Sequence, residues 1–514
     1  MINKIIILFK IARKIGSSDI IEIVDRSHKV PFFIKLFFNL VSLSFTKNQK
    51  KTNNTNDLSS TIQDLGTTFI KLGQFLATRP DIIGEELTKN LEKLQDKLPP
   101  FSKSLAENII RDELGELTAK NIIEFSDPIA AASIAQVHCA TLISGQEVAV
   151  KILRPNIDAL FERDIKLLFW LARLLERFFP KTRRLRPTKV VEVFSETVKL
   201  ELDLRMEASA ASELAENFSN DKDFKVPEIY WDYTSRRVLT IEKVVGCRPD
   251  DMQGLAKMRL SPRQILEKSA RIFFNQVFRD GFFHGDMHPG NVFILENGKI
   301  APVDFGIMGR LDITTRVFLG KMLIGFLTKD YHSVARIHFK AGYISGDQSI
   351  EIFAQACRSI GEPILNRPLA EISLASLLSQ LFHVTKQFRM ETQPQLLLLQ
   401  KTMLVTEGVG RQIDPTVNIW ELAQPMIRDW IVETQSPKVH LQNMGMEISE
   451  LAYRLPNLLR NLEVAVEKLA EGKLTIADEN EGLNKNPNNT ARQIQIIGIG
   501  LILILILFTN YVMS

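Results

Sequence analysis

His284-Gly285-Asp286-Met287-His288-Pro289-Gly290-Asn291, followed by Asp304-Phe305-Gly306, is the stretch on which the fold of this chain turns. Between the two lie apolar runs at 292–295 and 299–303, set around Glu296-Asn297-Gly298. Asn-Gly is the strongest short hairpin signal, because a type I′ turn needs positive φ at both central residues. A hairpin here folds Asn291 back beside Asp304 at one mouth. Phosphoryl transfer from ATP needs oxygen ligands that hold magnesium on the phosphates, and a carboxylate that receives the acceptor's proton. Asn291 and Asp304 suit the first task and Asp286 the second. The spacing from Asp286 to Asn291 and to Asp304 matches the kinase catalytic-loop and DFG pattern. His284 and His288 have no third nitrogen or sulfur ligand near them in the sequence, so they read as structural imidazoles.

Working back from that mouth, residues 137–142 and 147–153 read as two strands joined through Ser144-Gly145-Gln146. The second holds Val148-Ala149-Val150-Lys151, a buried-type strand whose lysine is placed to neutralise the α- and β-phosphates. The loop before it should be rich in glycine, so that backbone N–H groups can approach phosphates closely. It reads Ile129-Ala130-Ala131-Ala132-Ser133-Ile134-Ala135-Gln136-Val137, with alanine in place of glycine. Other departures are Gly285 where the kinase loop carries arginine, and the lack of an APE-like end to an activation segment.

Further out, the periodicity becomes helical. Leu58, Ile62, Leu65, Phe69, Leu72, Phe75 and Leu76 form an apolar stripe, and Thr67, Lys71, Gln74 and Thr78 form the polar stripe opposite. Helices are expected at about 157–178 and 188–218, a strand at 238–245, and mostly helix from 260 to about 470. A mixed small lobe followed by a helical large lobe is an α+β, bilobal arrangement. Residues 30–45, rich in Phe and Leu but broken by Lys35 and Asn39, suit an interfacial helix or burial on the body. Residues 494–513 are almost wholly apolar and long enough for one bilayer core. Lys485 and Arg492 precede that run and no positive residue follows it, which leaves the body in the cytoplasm.

The expected organisation is a basic segment at 1–56, a helical extension at 57–115, a small lobe with a helical insert at 116–245, a helical large lobe at 246–471, a tether at 472–492 and a transmembrane anchor at 493–513. The net charge of +4 is too mild to argue for nucleic acid, and no nucleic-acid-reading motif is present. Cys139, Cys247 and Cys357 lie far apart, which excludes a disulfide framework and a cysteine metal site.

Taken together, AAASIAQVH at 130–138, KLGQ at 71–74, ELD at 201–203 with Glu207, HGDMHPGN and DFG resemble the UbiB/ADCK family of atypical kinases. RRLRPTKVV at 183–191, FFNQVFRDGFFHGD at 273–286, EPILNRPLAEIS at 362–373 and QPQLLLLQKTMLVTEGVGRQ at 393–412 extend the resemblance over most of the chain. It implies an atypical protein-kinase-like bilobal fold that binds ATP and Mg2+. It also implies that Lys71 and Gln74 cover the catalytic mouth, that Glu201 and Asp203 form a regulatory pair with Glu201 the partner of Lys71, and that Glu207 pairs with Lys151. The family's place in ubiquinone biosynthesis at the bacterial inner membrane implies membrane lipids, prenylated quinone precursors and other pathway proteins as partners.

Three functions compete at this point: an atypical kinase or ATPase supporting ubiquinone biosynthesis, an ordinary protein or small-molecule phosphotransferase, and a ring hydroxylase of the same pathway. The last would need a flavin or metal site. No G-x-G-x-x-G follows a strand, and no two-histidine-one-carboxylate set can be placed. The phosphoryl acceptor itself is not written in the sequence.

Overall fold

The computed structural model describes residues 62–178, 186–363 and 384–431, apart from 64, 80–82, 84, 92–93, 95–97, 346, 385–387, 389, 391–392, 415–424 and 427. The basic segment, the interfacial stretch at 30–45, the tether and the C-terminal apolar run all lie outside the described residues. Among the described residues no helix is long and apolar enough to cross a membrane.

The amphipathic stripe becomes helix α1 (Thr67–Ala77). Its Phe69, Leu72 and Phe75 pack against a core that includes Phe161 and Phe194. Its other flank meets α2 (Glu85–Leu91), through Leu76 against Leu87 and Leu91. Next, α3 (Lys103–Leu114) lies across a sheet of β1 (Ile122–Ile123), β2 (Pro128–Ala131), β3 (Ala135–Leu142), β4 (Glu147–Leu153) and β5 (Val238–Glu242). All pairings in it are antiparallel, with β4 between β3 and β5, and β1 and β2 both pairing with β3. Side chains alternate faces along a strand. Val148, Val150 and Ile152 are therefore buried with Ile109 and Ile110 of α3, while Lys151 turns to the opposite face.

Three helices lie between β4 and β5: α4 (Ile157–Phe178), α5 (Pro187–Glu201) and α6 (Leu204–Asn217). The sequence reading ran one helix from 188 to 218, and the structure breaks it at residues 202–203. Asp203 leaves helical geometry at φ −123° and ψ 95°, and its carboxylate accepts the Arg205 N–H at 3.1 Å. Aspartate is among the best N-caps because its oxygen satisfies an orphan N–H of the first turn. The strand expected to reach 245 stops at Glu242.

The large lobe begins with α7 (Met252–Lys257) and α8 (Pro262–Phe274), the latter widening into a π turn at Asn275–Asp280. Two small ladders follow. β6 (Phe282–His284) pairs with β9 (Met308–Arg310), and β7 (Val292–Ile294) pairs with β8 (Ile300–Pro302). The β7–β8 turn is the Asn-Gly hairpin, but it is not type I′: Gly298 alone takes positive φ, 74°, a conformation that favours glycine, and Asn297 does not. Helices α9 (Ile313–Leu327), α10 (Tyr331–Lys340), α11 (Ile350–Gly361) and α12 (Pro394–Ile413) follow. The lobe's core gathers Leu214 of α6, Ile272, Phe282, Val292 and Phe305. A neighbouring cluster seats Leu399 of α12 against Phe278, Phe283 and Leu311.

Candidate active site

Lys151 is the centre of the side expected to hold nucleotide. Its Nζ donates to Glu207 Oε1 at 2.7 Å and Oε2 at 3.0 Å, and to Asp304 Oδ2 at 3.1 Å. Strand alternation aims Lys151 inward, the Asp203 cap starts the helix that carries Glu207, and the β7–β8 hairpin returns the chain to Asp304. Glu207 also accepts the Phe305 N–H at 3.2 Å, and the Phe305 ring is buried beneath α6. The Asp-Phe-Gly turn is thus held with its phenylalanine inside and its aspartate facing the cleft.

The electrostatics follow from one cation between two carboxylates. Burial opposes the charge on Lys151, but Asp304 and Glu207 outweigh it and hold the ammonium above its ordinary value. Enclosure also opposes ionisation of Asp304, yet Lys151 and the Gly306 N–H hold its carboxyl below the usual carboxylate range. Its side chain keeps 42% of its surface open to the cleft, so pairing decides its state. Glu207, only 7% exposed, is pushed upward by burial and then by Asp304, with Lys151 pulling the other way.

On the acceptor side, the Val303 N–H donates to the Asn291 carbonyl at 2.9 Å, closing the hairpin mouth as its sequence implied. Asn291 Nδ2 donates to the Asp286 carbonyl at 3.2 Å and to its carboxylate at 3.3 Å. The amide's remaining oxygen is then available as a ligand. With Asp304 it makes a hard, oxygen-only donor pair, which fits magnesium shared with phosphates. Among the described residues there is no group of three or more His, Cys, Asp or Glu that could cage a metal unaided.

His284 acts as a structural strut. Its Nδ1 accepts the Asp286 N–H at 3.0 Å, and its Nε2–H donates to the Asp304 carbonyl, tying catalytic loop to DFG turn in one neutral tautomer. Burial depresses its pKa and keeps it neutral. Gln276, on the π turn, accepts the His284 N–H at 2.9 Å and fixes the strand that leads into the loop. Gln276 lies in the stretch 273–286 that carries the resemblance, but no local spacing rule assigns it this role, which depends on the π widening.

The alanine-rich segment is the β2–β3 hairpin. Ala132 N–H donates to the Ala135 carbonyl at 2.8 Å, and Arg154 Nε donates to the Ala132 carbonyl at 3.0 Å. None of residues 129–137 has positive φ, so the turn itself does not require glycine. Lys71 and Glu201 meet at 3.1 Å, with only 14% and 17% of their side chains exposed. Gln74 is half-buried on the same helix face. Glu201 is the last residue of α5 and Asp203 caps α6. The ELD triplet therefore joins the Lys71 ion pair to the helix that carries Glu207.

Lys401 is a second site residue to which the sequence reading assigned no role. Lys401 of α12 places Nζ 3.1 Å from Asp286 Oδ1. It lies 115 residues from Asp286 in sequence, and no spacing rule connects positions that far apart.

Comparisons with known proteins agree with this geometry. Residues 93–338 match the model of the ABC1 atypical kinase-like domain, and residues 357–418 match the UbiB helical domain. The chain is 40% identical to a Marinobacter nauticus protein named "Probable protein kinase UbiB" over 84% of this chain and 80% of the relative. It is 41% identical to a Pseudomonas aeruginosa protein of the same name, over 80% and 77% respectively. Among solved structures it is similar to Rv3197 of Mycobacterium tuberculosis, determined as a complex with erythromycin. The TM-score there is 0.50 and the identity 25%, over 72% of this chain and 94% of the other.

Proposed function

This chain belongs to the UbiB family of ABC1-type atypical kinases, and on that premise we propose that it is an ATP- and magnesium-dependent phosphotransferase or ATPase that supports ubiquinone biosynthesis at a membrane. The observation that carries the reading is the convergence of Lys151, Glu207, Asp304, Asn291 and Asp286, from separate segments, on one cleft. Lys151 binds and neutralises the α- and β-phosphates, with Glu207 fixing its position. Asn291 and Asp304 would hold Mg2+, which supplies charge neutralisation on the phosphates when bound. Asp286 receives the proton of the attacking hydroxyl or water.

The same reading assigns the apolar run at 493–513 as an inner-membrane anchor, with the body facing the cytoplasm and lipids and prenylated quinone precursors within reach. Other proteins of the pathway are the expected protein partners. The Lys71–Glu201 pair supports a cleft whose cover excludes polypeptide acceptors. An ordinary protein or small-molecule phosphotransferase would share the Lys151–Glu207 pair but would need no such cover.

The test uses purified full-length protein, with ATP binding and turnover measured with and without Mg2+, added protein, and membranes containing prenylated phenols. Asp304→Asn should abolish magnesium-dependent binding or lower turnover by about 10³-fold. Normal binding and turnover by that variant would sink the cleft assignment. Brisk phosphorylation of added protein by the parent would favour the ordinary-kinase reading.

A further inference from the structure

The chain's second cation in the cleft does not come from the kinase-like domain at all. Lys401 stands on α12, within the segment that matches the UbiB helical domain, and its ammonium lies 3.1 Å from Asp286 Oδ1. The way α12 is seated explains how it gets there. A Cβ on Gly285 would come 2.8 Å from Leu398 Cδ1 and 2.9 Å from Ile307 Cγ2, so α12 fills the space beside the loop. This is the position at which the kinase pattern carries arginine. Residues three apart on a helix share a face, so the helix that closes the arginine's space at Leu398 delivers a lysine at 401.

Among the described residues, two other candidates for positive charge at this site, Lys151 and His288, are otherwise engaged. Lys151 is held by Glu207 and Asp304. His288 accepts the Gly290 N–H on Nδ1 at 2.9 Å, and its Nε2 stands 3.7 Å from Asp286 Oδ2, beyond hydrogen-bond range. The Lys401–Asp286 pair keeps 35% and 24% of its side-chain surfaces exposed. Partly exposed pairs of this sort add little to stability.

We infer that Lys401 is a phosphoryl-binding residue of this cleft, supplied by the helical domain in place of the catalytic loop's own cation. The inference rests on the ATP-using reading above. In the transfer step the acceptor oxygen forms its bond to the γ-phosphorus. The bond from that phosphorus to the β,γ-bridging oxygen breaks, ADP leaves with the electron pair, and the acceptor's proton passes to Asp286. Charge spreads over the three equatorial oxygens in the transition state. A lysine ammonium carries three donors. Lys401 can therefore keep one on Asp286, orienting the base, and aim another at an equatorial oxygen.

The experiment compares the full-length parent with Lys401→Met, Lys401→Arg and Asp304→Asn. Steady-state ATP turnover, the Kd of a non-hydrolysable ATP analogue with Mg2+, and the thermal midpoint are measured for each. Lys401→Met should lower kcat by about 10²-fold while leaving the analogue's Kd within about threefold. Lys401→Arg should recover about tenfold of that loss, because it restores the cation without the same geometry. Unchanged kcat in Lys401→Met would show the lysine idle, and a raised kcat would show a brake on Asp286; either overturns the inference. Loss of kcat, analogue binding and thermal midpoint together would show a packing role and also overturn it. Failure of the parent to bind nucleotide, or normal binding and turnover by Asp304→Asn, would overturn the ATP-using reading and this inference with it. Lys401→Met failing alone leaves that reading intact.

Discussion

On the nucleotide side of the cleft, Lys151 is shared by Glu207 and Asp304, and every member comes from the segment that matches the ABC1 domain. On the acceptor side, Asp286 is shared by Asn291 and Lys401, and the lysine comes from α12 beyond that domain. In the first arrangement Lys151 and Glu207 are enclosed and part of the fold's own core, with Glu207 also anchoring the Phe305 N–H, and Asp304 alone opens to the cleft. The second is partly open and depends on how a separate helical element is seated. On the proposed reading, the contrast separates two tasks: the kinase-like body would grip the phosphates, and the helical domain would condition the group that meets the acceptor.

Three changes would break or sharpen this contrast. The largest effect is expected on the enclosed side. Glu207→Ala leaves Lys151 with one partner and the Phe305 N–H with none. It should cost about 3 kcal/mol of stability in urea unfolding, and nucleotide binding should fall with it. A loss below about 0.5 kcal/mol would mean the cluster is not a core element.

A smaller effect belongs to the acceptor side. Gly285→Ala pushes a methyl group toward Leu398 and Ile307 and must displace α12 slightly. About 1 kcal/mol of stability is expected to go, because the obstructing atoms are side-chain ends that can yield. Turnover should drop severalfold while nucleotide Kd holds, since only the Lys401 end moves. If turnover and Kd change in parallel, the two sides of the cleft are not separable.

The smallest effect concerns pH. Burial holds His284 below the ordinary histidine value of 6.5, and it depresses His138 and His338 in the same direction. A histidine kept neutral by folding contributes stability that is fully present above 6.5 and lost as pH falls below it, because the unfolded chain binds the proton first. The urea midpoint should therefore decline between pH 7 and pH 5.5, and His284→Asn should remove part of that decline. A midpoint that is flat or rising over this interval would contradict the neutral strut between catalytic loop and DFG turn.

Much of the nucleotide side was legible in the linear sequence. The buried-type strand marked Lys151 and the Asn-Gly turn brought Asn291 back to Asp304, because both signals operate within a few residues. The resemblance then supplied the Lys151–Glu207 and Lys71–Glu201 pairs, which the structure closes at 2.7 Å and 3.1 Å. The break at Asp203 was legible in principle, since a capping aspartate two residues before Arg205 is a local signal that the longer helical period masked.

What the sequence could not determine was the Lys401 end of the acceptor side. Gly285 reads as a missing arginine until α12 is seen in the space that arginine would fill. Lys401 reads as one more polar position on an amphipathic helix until that helix is docked. Local periodicity and turn chemistry fix conformation over a few residues. The meeting of Leu398 with Gly285 and of Lys401 with Asp286 depends on how whole elements pack, and only the tertiary structure decides that.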